Sequence, residues 1–335
     1  MKLFIQIPCF NEAEQLPATL ADLPRDLDGF DTVEWLIVDD GSTDDTVAVA
    51  RRHGVDHVVR LTNHKGLAAA FQAGLDACLK LGADVVVNTD ADNQYAASSI
   101  PALVRPILAG EADMVIGSRS MDSIEHFSAT KRRLQRFGSS VVRRASQTEV
   151  PDATSGFRAY NREAALQVQV VSKFTYTLET IIQAGKMLVA VDHVPIQTNP
   201  KTRPSRLFSS TWSYVRRNAV AILRVYTMYE PLRVFLAAAG VAALIGLAIW
   251  VRFIYYFASG DGHGHVQSLI LGATMLVISV QLAGLALLAD VLAALRVLVQ
   301  RNLERTRRLE LHAGIEPSHY DSGDHEPVAL SDERQ

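Results

Sequence analysis

The sequence predicts an α/β protein in which a mostly parallel, helix-covered sheet is followed by an amphipathic helix and two membrane-spanning helices. The first 200 residues alternate Val/Ile-rich runs with helix-like stretches, two long uncharged segments follow residue 233, and arginines flank both segments. A net charge of −3 over 335 residues excludes a disordered acidic chain and a nucleic-acid binder held by bulk positive charge. The two cysteines, Cys9 and Cys78, exclude a disulfide framework and a cysteine-rich zinc site.

Five apolar runs are predicted as strands: KLFIQIP, VEWLIVDD, DHVVRL, ADVVVNTDAD and ADMVIGSR. Nearly continuous runs of this kind are typical of a parallel sheet that is covered on both faces. Between them, Ser42 and Asp45 resemble a capping box at the start of a helix, and Gly54 and Gly82 are helix stop signals. Ligands of such sheets bind beyond the carboxyl ends of the strands, so the residues after each run are the functional candidates.

Polar side chains follow all five runs. They are Asn11 and Glu12, Asp39 and Asp40, Asn63 to Lys65, Asp90 to Gln94, and Ser118 and Arg119. Carboxylates, amides and cations are therefore expected to meet at one edge of the sheet. The chain has no G-x-G-x-x-G motif and no P-loop, which removes the main support for a dinucleotide dehydrogenase or a P-loop ATPase.

Asp90 and Asp92 indicate a divalent cation. Residues i and i+2 of an extended segment point to the same side, so both carboxylates can face one hard ion, with Gln94 continuing the row. The expected ion is Mg²⁺ or Mn²⁺, with positions left open for diphosphate oxygens. The alternative is an Asp-x-Asp in a turn or on a solvated face.

Two segments predict a membrane hairpin. Residues 234–251 and 266–289 carry no formal charge, and about 20 helical residues cross a bilayer core. Spans are predicted at about 233–257 and 266–289 within a hairpin of 232–291. The alternative is two buried helices of a soluble core. No Lys or Arg occurs between Arg252 and Arg296, so the positive-inside rule places both ends in the cytoplasm.

The segments that flank the hairpin complete the domain plan. Residues 207–231 are predicted as an amphipathic juxtamembrane helix, because apolar residues from Trp212 to Tyr229 recur at spacings of three and four while arginines lie off that stripe. Packed protein core is the alternative for this stripe. Residues 292–335 are predicted as a basic cytoplasmic segment and, from about residue 311, a disordered tail.

The motifs IPCFNE, VDDGSTDDT, NHKGLA, DADNQY, GSR and TSGFRAY resemble those of inverting family 2 glycosyltransferases. With the hairpin, the chain is similar to the polyprenyl-phosphate glycosyltransferases, the group that contains dolichol-phosphate mannose synthase. The resemblance implies a GT-A fold over residues 1–206, a Rossmann-like and mostly parallel sheet that binds a nucleotide-sugar. Asn93 departs from the leucine or glycine that many relatives carry at this position.

The resemblance also implies a role for each matching residue. Nucleotide-sugar binding is implied for Pro8, Phe10, Glu12, Asp39, Asp40, Lys65, Asp90 and Ala91. Metal binding is implied for Asp90, Asp92 and Gln94. Acceptor phosphate binding is implied for Arg132, Ser155, Glu179, Lys201, Arg203 and Arg206. Catalytic roles are implied for Asp92, Arg119, Arg132 and Asp152.

Structural alternatives exist for some of these residues. Glu12 is also explained as an ordinary helix-start acid and Asp39 as a capping partner. Arg133 or Arg136 can take the role of Arg132, and this charge run is also explained as a solvated helix face. Asp152 either orients a phosphate or acts as a base.

The expected function is the inverting transfer of a sugar to a polyprenyl monophosphate, undecaprenyl or dolichyl, at the cytoplasmic face of the membrane. Expected partners are a UDP- or GDP-linked sugar, the lipid phosphate and the bilayer, with no nucleic acid; a homo-oligomer is left open. The alternatives are transfer to a glycolipid hydroxyl, with Glu179 as base, and a membrane-tethered nucleotide-sugar sensor without turnover. A processive polysaccharide synthase fits less well, because it needs more spans and a Q-x-x-R-W motif that the sequence lacks.

Overall fold

The computed structural model describes residues 1–119, 143, 146, 148–170, 176–200, 220, 223–224, 226–260 and 266–322. The described residues form two compact units. The first comprises those up to residue 222 together with those from Leu303 onward, and the second lies between Leu223 and Asn302.

The first unit is built on a seven-stranded sheet. Its strands are β1 Lys2–Cys9, β2 Thr32–Asp39, β3 His57–Arg60, β4 Val85–Asn88, β5 Met114–Arg119, β6 Arg158–Asn161 and β7 Val191–Ile196. Their order is β3-β2-β1-β4-β6-β5-β7, and β6 alone runs antiparallel to its neighbours. The five predicted strands are confirmed, and β6 and β7 are additions that the sequence analysis did not predict.

Helices connect these strands and cover the sheet. They are α1 Leu16–Asp22, α2 Thr46–Arg52, α3 Leu67–Lys80, α4 Ile100–Leu108, α5 Arg162–Gln167 and α6 Thr177–Lys186. The predicted stop signals are confirmed, since Gly54 and Gly82 follow α2 and α3 with positive φ. The predicted capping box is wrong: the Ser42 hydroxyl accepts from the backbone N–H of Asn11 and does not cap α2.

The strand order reverses at β1, with β2 on one side and β4 on the other, and the crevice in which ligands of such open sheets bind lies at this point. The Cys9 carbonyl accepts from Asp40 N on the β2 side, so the backbone of Pro8 faces β4. Proline has no N–H to donate, and β1 and β4 pair only as far as Gln6 and Asn88. Pro8 therefore ends the ladder at the point where the candidate residues gather.

Two described helices are long and apolar enough to cross a membrane: α7 Pro231–Ala258 and α8 Val266–His312. Only 17% and 6% of their most apolar windows are buried within the protein, unlike the core helix of a soluble domain. Within the hairpin, the Ser279 hydroxyl donates to the Ala239 carbonyl at 2.8 Å. The predicted spans are confirmed as helices of sufficient length and apolarity.

The helix that carries the second predicted span extends beyond residue 289, because α8 continues unbroken to His312. Between residues 291 and 312 the chain has no Gly or Pro, and Glu304 pairs with Arg308 one turn later. Its last residues belong to the first unit: Arg307 Nη1 donates to the carbonyl of Val168 at 2.9 Å, and Glu310 lies 3.1 Å from Lys80 Nζ.

The prediction of a disordered tail from residue 311 is wrong for residues 311–322. After α8 the chain forms an isolated antiparallel bridge between Tyr320 and Val59 of the edge strand β3. Backbone hydrogen bonds of 2.9 Å join Arg60 N to the His319 carbonyl and Asp321 N to the Val58 carbonyl. Unpaired donors and acceptors of an edge strand can hold a polar segment that has no apolar periodicity.

Most of the predicted amphipathic helix, 207–231, lies outside the described residues. The connector residues His263 and His265 lie outside them too.

Candidate active site

The loop that follows β4 carries the predicted acidic pair. Asp90 and Asp92 are partly buried, and between them Ala91 is held by its carbonyl, which accepts from the Thr19 hydroxyl of α1 at 2.8 Å. Gln94 donates to Asp92 twice, from its backbone N at 3.2 Å and from its side-chain amide at 2.7 Å. The predicted metal ligand Gln94 thus orients Asp92 in this structure.

The chemistry of Asp90 and Asp92 fits a divalent cation. Burial raises the pKa of Asp90 to about 7, and the charges of Asp92 and Glu12 act in the same direction while Arg119 opposes them. A hard cation would relieve this repulsion, with water and the oxygens of a bound anion completing its shell. Among the described residues, no group of three or more His, Cys, Asp or Glu side chains is placed to hold a metal ion. The protein's own share of such a site would be these two carboxylates.

Asn93 gives this loop its turn. Its φ is 52°, in the left-handed region that asparagine and glycine tolerate best. Its side-chain amide donates to Asp22 at 2.7 Å, and its backbone carbonyl accepts from the amide of Asn199 at 3.0 Å. Asn93 can therefore replace glycine here for a conformational reason.

Arg119 and Asp152 form a two-pronged ion pair beside the acidic loop. Arg119 Nε and Nη2 donate to the two carboxylate oxygens at 2.7 and 3.1 Å, and Nη2 also donates to the Thr154 hydroxyl at 2.9 Å. Burial alone would raise the pKa of Asp152, but Arg119 and Thr154 lower it below its usual value. A carboxylate held in this way is a poor proton acceptor and a good support for the arginine.

A glycine brings the segment before β6 against the acidic loop. A Cβ on Gly156 would lie 2.7 Å from the Tyr176 hydroxyl and 3.3 Å from an oxygen of Asp90. Its N–H donates to the Tyr95 hydroxyl at 3.1 Å, and its carbonyl accepts from the Asn88 amide at 2.8 Å. The backbone of Gly156 thus joins the loops that carry Asp90 and Asp152.

Arg158, the first residue of β6, is fully buried and binds the segment that precedes this strand. It donates to the carbonyls of Ser155 and Ala153 at 2.8 and 3.0 Å and to the Thr180 hydroxyl at 2.5 Å. The predicted acceptor residues Ser155 and Glu179 are also fully buried. The Ser155 hydroxyl accepts from Phe157 N at 3.3 Å. These residues shape the loop from within the core.

Across the crevice, β2 ends in two buried carboxylates. Asp40 accepts from the backbone of Lys65 and Gly66 at 2.7 and 2.8 Å and lies 2.8 Å from His64 Nδ1, so it organises that loop. Asp39 is 0% exposed; one oxygen accepts from Ser42 N at 3.0 Å. The other is buried without a hydrogen bond, 3.5 Å from Arg60 Nε. Asp39 therefore keeps an acceptor oxygen for a donor group.

Two further predicted nucleotide-side residues, Phe10 and Lys65, are exposed near Asp40. The Phe10 ring stacks on the His64 ring at 4.0 Å between centroids. Lys65 has an exposed side chain, while its backbone is held by Asp40. The exposed aromatic ring of Phe10 suits a planar group of a ligand, and the exposed ammonium group of Lys65 suits an anionic group.

The structure brings the predicted residues of β1, β2, β4 and β5 to one edge of the sheet, with the buried loop residues behind them. Arg132, Lys201, Arg203 and Arg206 lie outside the described residues. The sequence analysis missed Asn88, Tyr95 and Arg60. An asparagine inside the apolar strand VVVN and an arginine at the end of β3 were the available signals.

The open sheet with its switch-point crevice, an acidic loop after β4 and a carboxylate-rich β2 end define a glycosyltransferase of the GT-A type. The model of the family described as Glycosyl transferase family 2 matches residues 4–168. An uncharacterized glycosyltransferase of Mycobacterium tuberculosis is 32% identical over 220 residues, which cover 65% of this chain and 94% of that protein. The chain belongs to glycosyl transferase family 2.

Two further proteins are similar to this chain. The undecaprenyl-phosphate mannosyltransferase of Micrococcus luteus is 28% identical over 206 residues, covering 58% of this chain and 83% of that protein. Glucosyl-3-phosphoglycerate synthase from M. tuberculosis, solved with Mn²⁺, uridine-diphosphate-glucose and phosphoglyceric acid, superposes with a TM-score of 0.52 at 20% identity. That match covers 67% of this chain and 79% of the other, and at this identity it shows a shared fold alone.

Proposed function

We propose that this protein transfers a sugar from a nucleotide-sugar to a polyprenyl monophosphate, with inversion, at the cytoplasmic face of a membrane. One observation carries the proposal: the acidic pair Asp90 and Asp92 and the Arg119–Asp152 ion pair meet at one sheet edge. The two membrane-length helices and the relative named undecaprenyl-phosphate mannosyltransferase support a lipid phosphate as acceptor.

The donor lies in the crevice between β1 and β4. Asp39 accepts from the nucleoside, and Asp90 and Asp92 hold the divalent cation, Mg²⁺ or Mn²⁺. The bound cation supplies neutralisation of the charge that develops on the departing nucleoside diphosphate.

The acceptor needs orientation more than activation. The second ionisation of a phosphate monoester has a pKa of about 6, so near neutral pH the lipid phosphate is largely a dianion and already nucleophilic. Asp152, with its lowered pKa, orients Arg119 and does not take a proton. Among the described residues no acceptor binds Arg119 Nη1, which can donate to a phosphate oxygen in line with the anomeric carbon. Arg132, Lys201, Arg203 and Arg206 are proposed to add to this phosphate site.

The membrane helices explain why the acceptor is a lipid. A polyprenyl tail stays in the bilayer, so its phosphate is presented at the surface. The absence of Lys and Arg between Arg252 and Arg296 supports a hairpin with both ends in the cytoplasm. The alternative, transfer to a glycolipid hydroxyl with Glu179 as base, has less support, because Glu179 is buried in the first turn of α6 and does not follow a strand end of the sheet.

Replacing Arg119 with lysine is expected to lower kcat by about 10- to 100-fold, with a smaller change in the KM of the donor. A lysine keeps the charge, but it cannot bind both oxygens of Asp152 and a phosphate at once. Steady-state transfer in detergent micelles measures the effect. Arg105 is exposed on α4, and Arg105→Lys serves as the control. Equal rates for the Arg119 variant and wild type would remove Arg119 from the acceptor site.

The function itself is tested with membranes that contain the protein, undecaprenyl phosphate and labelled GDP-mannose, UDP-glucose or UDP-N-acetylglucosamine. A labelled lipid that mild acid hydrolyses is the expected product, because a sugar linked through phosphate is acid-labile. An acid-stable labelled lipid would favour transfer to a hydroxyl. Nucleotide-sugar binding with no labelled lipid for any donor would favour a sensor.

A further inference from the structure

The C-terminal residues 317–321, here called the tail segment, lie along the edge strand β3 close to the nucleotide side of the site. Two backbone hydrogen bonds form an isolated antiparallel bridge between Val59 and Tyr320. His319 has a φ of 62°, and this left-handed turn aims its carbonyl at Arg60 N.

Side chains add contacts on either side of this bridge. The Tyr320 hydroxyl lies 2.8 Å from Nδ1 of His57, whose Nε2 lies 2.7 Å from Glu34. Asp321 lies 2.8 Å from Arg51 Nη2 of α2. Two adjacent side chains of the tail segment thus have partners beyond the backbone hydrogen bonds, which argues for a specific docking position.

Arg60 connects the tail segment to Asp39. Its backbone N–H is held by His319, and its Nε lies 3.5 Å from the buried Asp39 oxygen that lacks a hydrogen bond. The Arg60 side chain is 59% exposed and Asp39 is 0% exposed. A buried carboxylate needs a nearby cation or donor, and a long exposed side chain loses rotamer freedom when it is fixed.

We infer that the tail segment is a working part of the nucleotide-binding pocket, because it holds Arg60 against Asp39 before the nucleotide-sugar arrives. Arg60 is then a positioning residue that keeps the Asp39 carboxylate oriented toward the hydrogen-bond donors of a nucleoside. When Arg60 is already ordered in the free protein, its loss of rotamer freedom no longer opposes binding. The affinity for the nucleotide-sugar therefore rises, while the rate of the chemical step is unchanged. The inference rests on the proposed function in one respect, that the crevice binds a nucleoside diphosphate.

The test compares a chain that ends at residue 315 with a control chain that ends at residue 322. The shorter chain is expected to show about a tenfold higher KM for the donor, with kcat within about twofold of wild type, because only binding is affected. Arg60→Ala is expected to give a similar rise, and the combined variant no further rise, because both changes remove one interaction. An unchanged KM in the shorter chain would overturn the inference. Effects that add in the combined variant would overturn the route through Arg60.

A second pair of variants covers the case in which the shorter chain does not fold. Asp321→Pro removes the N–H that is donated to Val58, whereas Asp321→Ala removes only the side chain that contacts Arg51. The proline variant is expected to reproduce the rise in KM, and the alanine variant, which keeps the backbone hydrogen bond, to show a smaller rise. Equal KM values for the proline variant and wild type would contradict the inference.

Calorimetric titration with UDP and with GDP, each with Mn²⁺, separates the two proposals. Wild type that binds neither nucleotide counts against the proposed function. If wild type and the shorter chain bind the same nucleotide equally well, the result contradicts the role of the tail segment but not the proposed function.

Discussion

Replacing Asp92 with alanine is expected to abolish sugar transfer while the protein stays folded and membrane-bound. Asp92 is one of two carboxylates that would hold the divalent cation, and Gln94 binds it in place. Loss of the cation leaves the charge on the departing diphosphate unneutralised, which corresponds to a fall in kcat on the order of 10³-fold or more. Transfer of labelled sugar by the purified protein, with membrane extraction and a thermal unfolding scan alongside, measures both halves of this prediction.

The controls for Asp92 separate the cation from general charge. Asp28 is an exposed carboxylate away from the site, and Asp28→Ala is expected to transfer sugar at the wild-type rate. Gln94→Ala leaves both carboxylates but removes the support of Asp92, so an intermediate rate is expected. Unchanged transfer by the Asp92 variant would remove the metal hypothesis.

Replacing Arg158 with methionine is expected to destabilise the protein by about 3–5 kcal/mol, the range for uncompensated loss inside a buried polar network. The change fills most of the volume but leaves the carbonyls of Ala153 and Ser155 and the Thr180 hydroxyl without their donor. For a domain of this size the midpoint of thermal unfolding in detergent is expected to fall by roughly 6 °C or more.

Arg105→Met on the exposed face of α4 provides the control for Arg158, because it removes an arginine that is not buried. Its midpoint is expected within about 1 °C of wild type, as for most surface changes. If the Arg158 variant unfolds at the same midpoint as wild type, the stability of the loop from Asp152 to Gly156 does not depend on the buried guanidinium.

The strands that could be predicted are those in which the buried pattern is local. β1, β2 and β4 are apolar nearly throughout, so periodicity alone identifies them. β6 was missed because its four residues, RAYN, include a buried arginine whose partners lie in other segments. β7 was missed because it is a half-exposed edge strand with Pro195, and only tertiary pairing with β5 makes it a strand.

The candidate site was predictable as far as it depends on strand ends. Asp39, Asp90 and Arg119 follow from the rule that parallel strands present their carboxyl ends together. The partner of Arg119 was not predictable from spacing, since Asp152 follows 33 residues later. The contact between Gly156 and Tyr95 was not predictable either, because the two residues are 61 positions apart and no local sequence pattern indicates that they meet.

The tail was predicted wrongly for a specific physical reason. Residues 317–321 carry no apolar periodicity, and a composition argument treats such a segment as disordered. Backbone hydrogen bonds to an edge strand do not depend on composition, and β3 offers its unpaired edge.

The central claim is that a phosphate oxygen of the lipid attacks the sugar, and the lipid product tests it most directly. Purified protein in nanodiscs with undecaprenyl phosphate, a nucleotide-sugar and Mg²⁺ or Mn²⁺ yields a product whose ³¹P NMR signal can be followed against pH. The acceptor's signal shifts through its second ionisation near pH 6, whereas the phosphodiester product is expected to show no such shift, because that proton is gone. A glycosylated lipid whose phosphate still titrates near pH 6 would place the sugar on a hydroxyl and contradict the claim.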